Sequence, residues 1–479
     1  MEIKADGYPF SGRTPIQTKN GDPLRKNLLD QLPLTPVPIA HVHAAELGAM
    51  SDVLDRLPAA VSLVHEDLCW RGGRRIDPTK GRDGMAAEQV LRAAILKQLA
   101  GRSYEELAFA LCDSSTYRSF CRLGFHRTAP KKSALQKNVK RVKASTWETI
   151  HKMVVEKAQQ LGIESGKKVR TDCTVVESNI HHPNDSSLLG DCARVFTRLM
   201  RKARKRFGIT FESNLLRARR RVLNIANAKS MKERLPMYRD LLKVTDRTVQ
   251  AAKRVAAHLD AVRSAEPNDV LVAQSIAQEI RHFIPLANQV ISQTERRILR
   301  NESVPAAEKI VSIFEPHTDI IVKDNREPEY GHKVCLTTGV ALVTDVLVEK
   351  GNPADSTLAT KMIERHVELF GKAPRQSCFD GAFATRSNLS KIKAMGVTDV
   401  AFHKRREIQI EEMTGSKRVY RALRAFRGGI EGVISFLKRV FGLERCTWRG
   451  FDSFRAYVHA SVLACNLLQI ARHRLAART

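Results

Sequence analysis

The chain has 479 residues, 43% of them hydrophobic, enough to bury the cores of about two to four domains and too apolar for wholesale disorder. It carries 80 lysines and arginines against 51 acids, a formal charge of +29. A surplus of that size favours a polyanion, and the lack of any apolar run of about 18 residues makes nucleic acid a better partner than a membrane. The opening MEIKADGYPFSGRTP has no apolar signal core, and the nine cysteines stand singly without a CxxC pair. Both features argue against a disulfide framework, a zinc ribbon or export. They lead us to expect a cytoplasmic, nucleoid-associated protein.

Residues 1–84 read as a punctuated N-terminal region. "QLPLTPVPIAHV" is proline-rich extended linker and "RGGRRIDPTKGRDG" a basic glycine-rich loop. Residues 85–160 read as a helical DNA-binding domain. "MAAEQVLRAAILKQLAG" has helical apolar spacing, and "SYEELAFALCD" starts with a capping box of Ser103 and Glu106. "STYRSFCRLGF" gives a short helix, and a longer helix or pair follows, the first capped by Ser133. Helices of this kind with basic tips suit either a helix-turn-helix or a small bundle with a solvated basic face.

At Lys167 the chain turns β-branched. "KKVRTDCTVVESNI" predicts a strand with Asp172 inside it, an expensive place for a charge without a partner or metal. Residues 191–316 read as a basic helical insertion. Its first part includes Arg201, Lys202, Arg204 and Lys205 and is opposed locally only by Glu212. Strands return at His317: "HTDIIVKD", "GHKVCLTTG" and "VALVTDVLVEKG" predict antiparallel neighbours. A helix capped by Asp355 or Ser356, the strand "RQSCFD", a helix, the strand "VTDVAFH" and two more helices follow. The order fits an α/β fold, a mixed sheet flanked by helices.

Three carboxylates occupy unusual places. Asp172 is mid-strand, Asp380 ends a strand before Gly381, and Glu431 lies on the helix of "FRGGIEGVISFLKRVFGL". In that helix Ile430, Val433, Ile434, Leu437, Val440 and Phe441 form an apolar stripe, and Arg427, Glu431, Ser435 and Lys438 share the neighbouring face. Carboxylates from two strands and a helix suffice for divalent metal ligation if they converge, with arginine and lysine holding phosphates. The alternative is an ordinary solvated helix face.

Five ordered segments carry a resemblance: "GMAAEQVLRAAILKQLAGRSYEELAFALCDSSTYRSFCRLGF" with "KKSALQKNVKRV", "RTDCTVVESNIHHPNDSSLLGD", "YGHKVCLTTG" with "VEKGNPADSTL", "CFDGAFATRSNL", and "FRGGIEGVISFLKRVFGLERCTWRG". Together they resemble bacterial insertion-sequence DDE transposases with an InsH-like N-terminal domain. The resemblance implies an RNase H-like catalytic core, discontinuous over 161–190 and 317–475. It also implies catalytic, metal-binding acids at Asp172, Asp380 and Glu431. Related transposases carry a Tyr-x2-Arg-x3-Glu-x6-Lys signature; Arg427, Glu431 and Lys438 fit it, while Arg424 stands at the tyrosine position.

The family's chemistry implies two Mg²⁺ (or Mn²⁺) ions per site and metal-assisted cleavage and strand transfer at transposon ends. Its expected partners are double-stranded DNA, as transposon ends and target, and a second copy of the chain in a homodimer or larger assembly on DNA. Arg427, Lys438, Lys404, Arg405, Arg201, Lys202, Arg204 and Lys205 are candidate phosphate contacts, and Gly428 and Gly429 are positions where DNA approaches the backbone closely. Two alternatives remain: a non-catalytic repressor-like DNA-binding protein, and another RNase H-like nuclease. His332-Lys333 is a further candidate DNA contact, and Asp345 reads as structural. His181-His182 reads as a loop pair.

Overall fold

The computed structural model describes residues 40–77, 84–124, 127–263, 266–322, 327–404 and 407–477. Most of the expected proline-rich linker, part of the basic glycine-rich loop, and Arg405 lie outside them. The chain divides into two compact units, one up to Lys97 with Arg102–Val142, the other Gln98–Gly101 with Lys143–Thr479.

The first unit is helical. It contains α1 (Val42–Asp55), α2 (Pro58–Leu68), a hairpin of β1 (Trp70–Arg71) and β2 (Arg74–Arg75), α3 (Ala87–Leu99, entering the second unit at its last turn), α4 (Tyr104–Asp113), α5 (Ser115–Phe120) and α6 (Lys132–Val139). Two features depart from expectation. α1 and α2 form where a punctuated region was expected: Leu47, Met50, Val53 and Leu54 are buried at helical spacing, and Pro58 opens α2 at a position that needs no N–H. The basic loop begins as a tight hairpin, its turn made by Gly72 and Gly73, both at positive φ.

The Ser103 capping box is present. Its hydroxyl accepts from the Glu106 N–H at 3.2 Å, and Glu106 accepts from the Ser103 N–H at 2.7 Å. α6 instead begins after Lys131 without a side-chain cap, so Ser133 falls inside its first turn. The unit is pinned by Arg92, whose buried guanidinium donates to Glu88 (2.9 Å), Asp55 (2.6 Å) and the Phe120 carbonyl (3.1 Å). That set of partners is what a buried arginine requires.

The second unit opens with α7 (Ala144–Gln160), although residues up to 160 were expected in the N-terminal helical domain. Next come β3 (Lys168–Ser178), α8 (Asp185–Phe207), α9 (Leu215–Asn227), α10 (Met231–Asp260) and α11 (Pro267–Thr294). The chain continues through β4 (Asp319–Ile321), β5 (Glu329–Thr338), β6 (Val343–Glu349), α12 (Ala359–Phe370), β7 (Gln376–Phe379), α13 (Arg386–Ala394) and β8 (Asp399–Phe402). It ends with α14 (Ile410–Met413), α15 (Lys417–Phe441), β9 (Arg445–Cys446) and α16 (Phe451–Ala476). The sheet order is β6–β5–β3–β7–β8, with β4 continuing the outer edge of β5 beyond β6. β3 is central, antiparallel to β5 and parallel to β7.

The helices α8–α11 surround a hydrophobic core of their own, drawn from Leu188 to Ile313 and centred on residues such as Phe196, Leu241, Val255 and Ile280. α8 begins at Asp185, capped by Asn184, earlier than the expected start of the insertion at 191. The chain leaves the sheet after β3 and re-enters at β4, and both strands pair with the same residue of β5: Glu177 and Asp319 each face Gly331.

α16 is buried along most of its length, which is why its sequence is apolar on nearly every face. Its Asn466 pairs with the backbone of Val343, donating to the carbonyl at 2.7 Å and accepting from the N–H at 3.1 Å, and so satisfies the start of β6. Asp355 does not cap α12, which starts at Ala359 without a side-chain cap; it binds Lys333 instead, at 2.6 Å. His332 is fully buried in a chain of hydrogen bonds, with Asp319 at 2.8 Å and His317 at 2.7 Å. His332 and Lys333 are therefore internal props, not DNA contacts. Asp345 is structural, as expected: it binds Arg365 at 2.7 Å, which also binds Glu148 of α7.

Two further buried histidines give the unit a pH dependence. Burial pushes His366 down to about 4 and His459, next to His151, down to about 3. An unfolded histidine titrates near 6.5, so acid protonates the unfolded chain first. Their stabilisation is complete above about pH 6.5 and is lost as the pH falls toward the folded values, on the order of 3 kcal/mol per group. The denaturation midpoint is expected to drop between pH 6.5 and 4, and His366→Phe to flatten part of that slope. An unchanged slope in the variant would remove His366 from the account.

Candidate active site

Lys168, Arg170 and Asp172 alternate along β3 and so share one face of the sheet, the face that α15 crosses. The Phe426 ring of α15 lies 4.4 Å from both the Lys168 ammonium and the Arg170 guanidinium. Arg170 also donates from Nη1 to the Phe426 carbonyl at 2.7 Å and from Nε to Thr338 Oγ1 at 2.8 Å. It therefore clamps the middle of α15 to the sheet.

That clamp explains one of the two glycines. A Cβ on Gly429 would sit 3.0 Å from Arg170 Cζ and closer still to Nη1, whereas a Cβ on Gly428 would meet nothing. The space at Gly429 is filled by arginine, which replaces the expected close approach of DNA at this residue. Gly429→Ala is expected to displace the guanidinium and shift Glu431 on its helix. The expected cost is about 10²-fold in turnover together with a lowered melting temperature, because the displaced guanidinium gives up its hold on α15. Steady-state kinetics beside a thermal melt would check both, and wild-type values in both would mean that the clamp tolerates the methyl group.

The three acids converge on a single residue, Arg427. Its Nη2 is 2.7 Å from Asp172 Oδ2 and 3.3 Å from Asp380 Oδ1, and its Nη1 is 2.8 Å from Glu431 Oε1. Sharing one nitrogen keeps the Asp172 and Asp380 oxygens within about 6 Å of each other. Arg427 lies on the buried seam of α15 with Tyr420, Leu423 and Ile430. The site opens outward: side-chain exposure rises from 14% at Asp172 to 35% at Asp380 and 67% at Glu431.

Asp172 accepts the Cys173 N–H on Oδ1 at 2.8 Å. Burial raises its pKa; the Arg427 guanidinium and the Cys173 N–H pull it down, and Asp380 adds to the rise. The donor set is three carboxylates, hard oxygen ligands of the kind Mg²⁺ and Mn²⁺ take, and the place they point to already holds a cation. Their chemistry fits a divalent metal. Their present spacing is set by the guanidinium, and among the described residues no group of three acids, histidines or cysteines closes to metal-binding geometry.

Lys404 is exposed, and its stem lies against the turn after Asp380, where a Cβ on Gly381 would come 2.7 Å from Lys404 Cβ. Lys438 is partly exposed, 3.5 Å from Glu444, and touches none of the three acids. The α15 stripe holds at Ile430, Leu437 and Phe441, but Val440 is 40% exposed, beyond the width of the buried face. Arg424 is exposed, 5.9 Å from the ring of Tyr420 one turn earlier.

Arg201, Lys202, Arg204 and Lys205 are exposed on α8, and none of them pairs with Asp172, Asp380 or Glu431, whose shared partner is Arg427. The basic run around them has more opposition than Glu212. Asp240 pairs with Arg217 and Arg221, Asp269 with Arg206, and Glu279 with Arg198 and Lys202. Glu177 pairs with Arg445, and His181 binds Asp191 at 2.8 Å. The residue that sequence reasoning missed is Arg170. Strand alternation from Asp172 was the available signal.

Two family models match the chain. One, described as a transposase domain (DUF772), matches residues 45–141, and the other, a transposase DDE domain, matches residues 322–467. Together they cover about half of the chain; Asp380 and Glu431 fall inside the second, and Asp172 in neither. No curated protein and no solved structure matches. A DDE domain on this mixed sheet, an RNase H-like core, defines an enzyme of DNA cleavage and strand transfer. The chain belongs to the insertion-sequence DDE transposases. Among its described residues no helix is long and apolar enough to cross a membrane.

Proposed function

We propose that the chain binds the terminal inverted repeats of its element and that Asp172, Asp380 and Glu431 are its catalytic, metal-holding acids. The observation that carries this reading is their meeting at one point, from β3, the end of β7 and α15. Two Mg²⁺ ions, or Mn²⁺, held there would activate the attacking oxygen and stabilise the leaving one. Asp172, Asp380 and Glu431 would hold them.

The chain's own residues do the rest. Arg427 offers a planar pair of N–H donors that suits a phosphate. Lys404, with its stem on the Asp380 turn, and Lys438 supply positive charge along the same approach. Water first displaces the 3′-oxygen of a phosphodiester at the transposon end, leaving a 3′-hydroxyl. That hydroxyl then attacks a target phosphodiester and displaces its 3′-oxygen. The second step exchanges one phosphodiester for another and needs no external energy source.

The helices of the first unit take the role of end recognition, and the exposed Arg201, Arg204 and Lys205, with Lys202, add phosphate contacts from α8. Synapsis of two ends calls for at least two copies of the chain on DNA. The test is a joining assay with a labelled duplex from the element's own terminus. Strand transfer into a target plasmid supports a transposase, cutting without joining supports a nuclease, and binding alone supports a repressor.

A further inference from the structure

We propose that Arg427 is a charge placeholder. In the DNA-free protein its guanidinium supplies the positive charge that the three acids need, and it yields that place to metal as a DNA phosphate takes over its N–H groups. The inference rests on the metal-holding reading of Asp172, Asp380 and Glu431.

Three carboxylates this close, one of them mostly buried, repel one another unless a cation sits among them. Arginine is suited to that place because it stays charged when buried and offers separate N–H groups to separate acceptors. Nη2 serves Asp172 and Asp380, Nη1 serves Glu431, and Nε is buried without a hydrogen-bond partner. The guanidinium is thus bound to the acids by one end and incompletely satisfied at the other.

One positive charge does not neutralise three negative ones, so the cluster still attracts a divalent ion. A divalent ion and a guanidinium sharing the same carboxylate oxygens would repel each other, and one must leave. A phosphodiester is the acceptor that lets the arginine leave without losing its charge-assisted hydrogen bonds. Metal and DNA therefore favour each other's binding, and the coupling is reciprocal. The enzyme would load metal poorly until a backbone lies in the site, which limits idle hydrolysis.

The test measures Mn²⁺ binding to the full chain by electron paramagnetic resonance, with and without a mixed-sequence duplex DNA. Without DNA, Arg427→Gln is expected to bind Mn²⁺ at least about tenfold tighter than wild type, and Arg427→Lys, which keeps the charge, to stay near wild type. Adding Asp380→Asn to Arg427→Gln should abolish the gain. In wild type the duplex should raise Mn²⁺ affinity by about tenfold or more, and in Arg427→Gln that increment should shrink.

Equal DNA-free affinities in wild type and Arg427→Gln, with Asp380-dependent binding in both, would overturn the placeholder and leave the metal site standing. No Asp380-dependent Mn²⁺ binding in any protein, with or without DNA, would overturn both. Should Arg427→Gln fail to fold, the wild-type response to the duplex decides, and no response counts against the proposal.

Discussion

Asp172→Asn is expected to lower end cleavage and strand transfer by at least ~10³-fold while leaving the protein folded and able to bind DNA. Asparagine has nearly the shape of aspartate, and its carbonyl oxygen can still accept from the Cys173 N–H or from Arg427. Arg427 keeps Asp380 and Glu431 as partners, so its buried charge stays compensated and the fold survives the change. What disappears is a carboxylate charge at the point where β3 and α15 meet. Asp380→Asn and Glu431→Gln should behave alike. Cleavage of a labelled end duplex in Mg²⁺, beside a mobility-shift measurement of binding, separates the two effects. Any one variant that still cuts at the wild-type rate takes its residue out of the site.

Gly331→Ala is expected to be the most damaging single substitution in the sheet, destabilising by about 3 kcal/mol or more. Its Cβ would run into the Val176 carbonyl oxygen and lie 2.7 Å from Glu177 Cα. These are backbone atoms of the neighbouring strand and cannot rotate away. β5 and β3 would have to part where their pairing ends, beside the first strand of the candidate site. A thermal melt should show the midpoint lowered by roughly 5 °C or more. An unchanged midpoint would mean that the strand pair tolerates a spacing wider than this structure shows.

Much of the catalytic unit could be read from the chain because its cues are local. The β-branched run predicted β3, and the apolar spacing of α15 set its phase closely enough to place Arg427 and Glu431 on one face. Where the reading failed, the deciding partner was distant in sequence. Asp355 and Ser133 looked like caps by their neighbours. Asp355 is instead claimed by Lys333 across the β5–β6 side of the sheet, and Ser133 lies just inside its helix. The basic run on α8 and α9 looked unopposed because its acids, Asp240, Asp269 and Glu279, lie one and two helices further on. His332-Lys333 looked like a surface pair, and only the strand pairing shows it is interior. Arg170 was hidden for the same reason: its role depends on Phe426, which a linear scan does not set beside it. α1 and α2 are short, are split by Pro58, and lie between a proline-rich segment and a glycine-rich loop, so their helical spacing is masked by breakers on every side.

The helical block between β3 and β4 has its own hydrophobic core, and its two ends meet the sheet on either side of one residue of β5. Two strands flanking a third are separated by about two strand spacings, roughly 10 Å. To the sheet, the whole block is thus equivalent to a short connecting loop. Its length and helix number can change without moving Asp172.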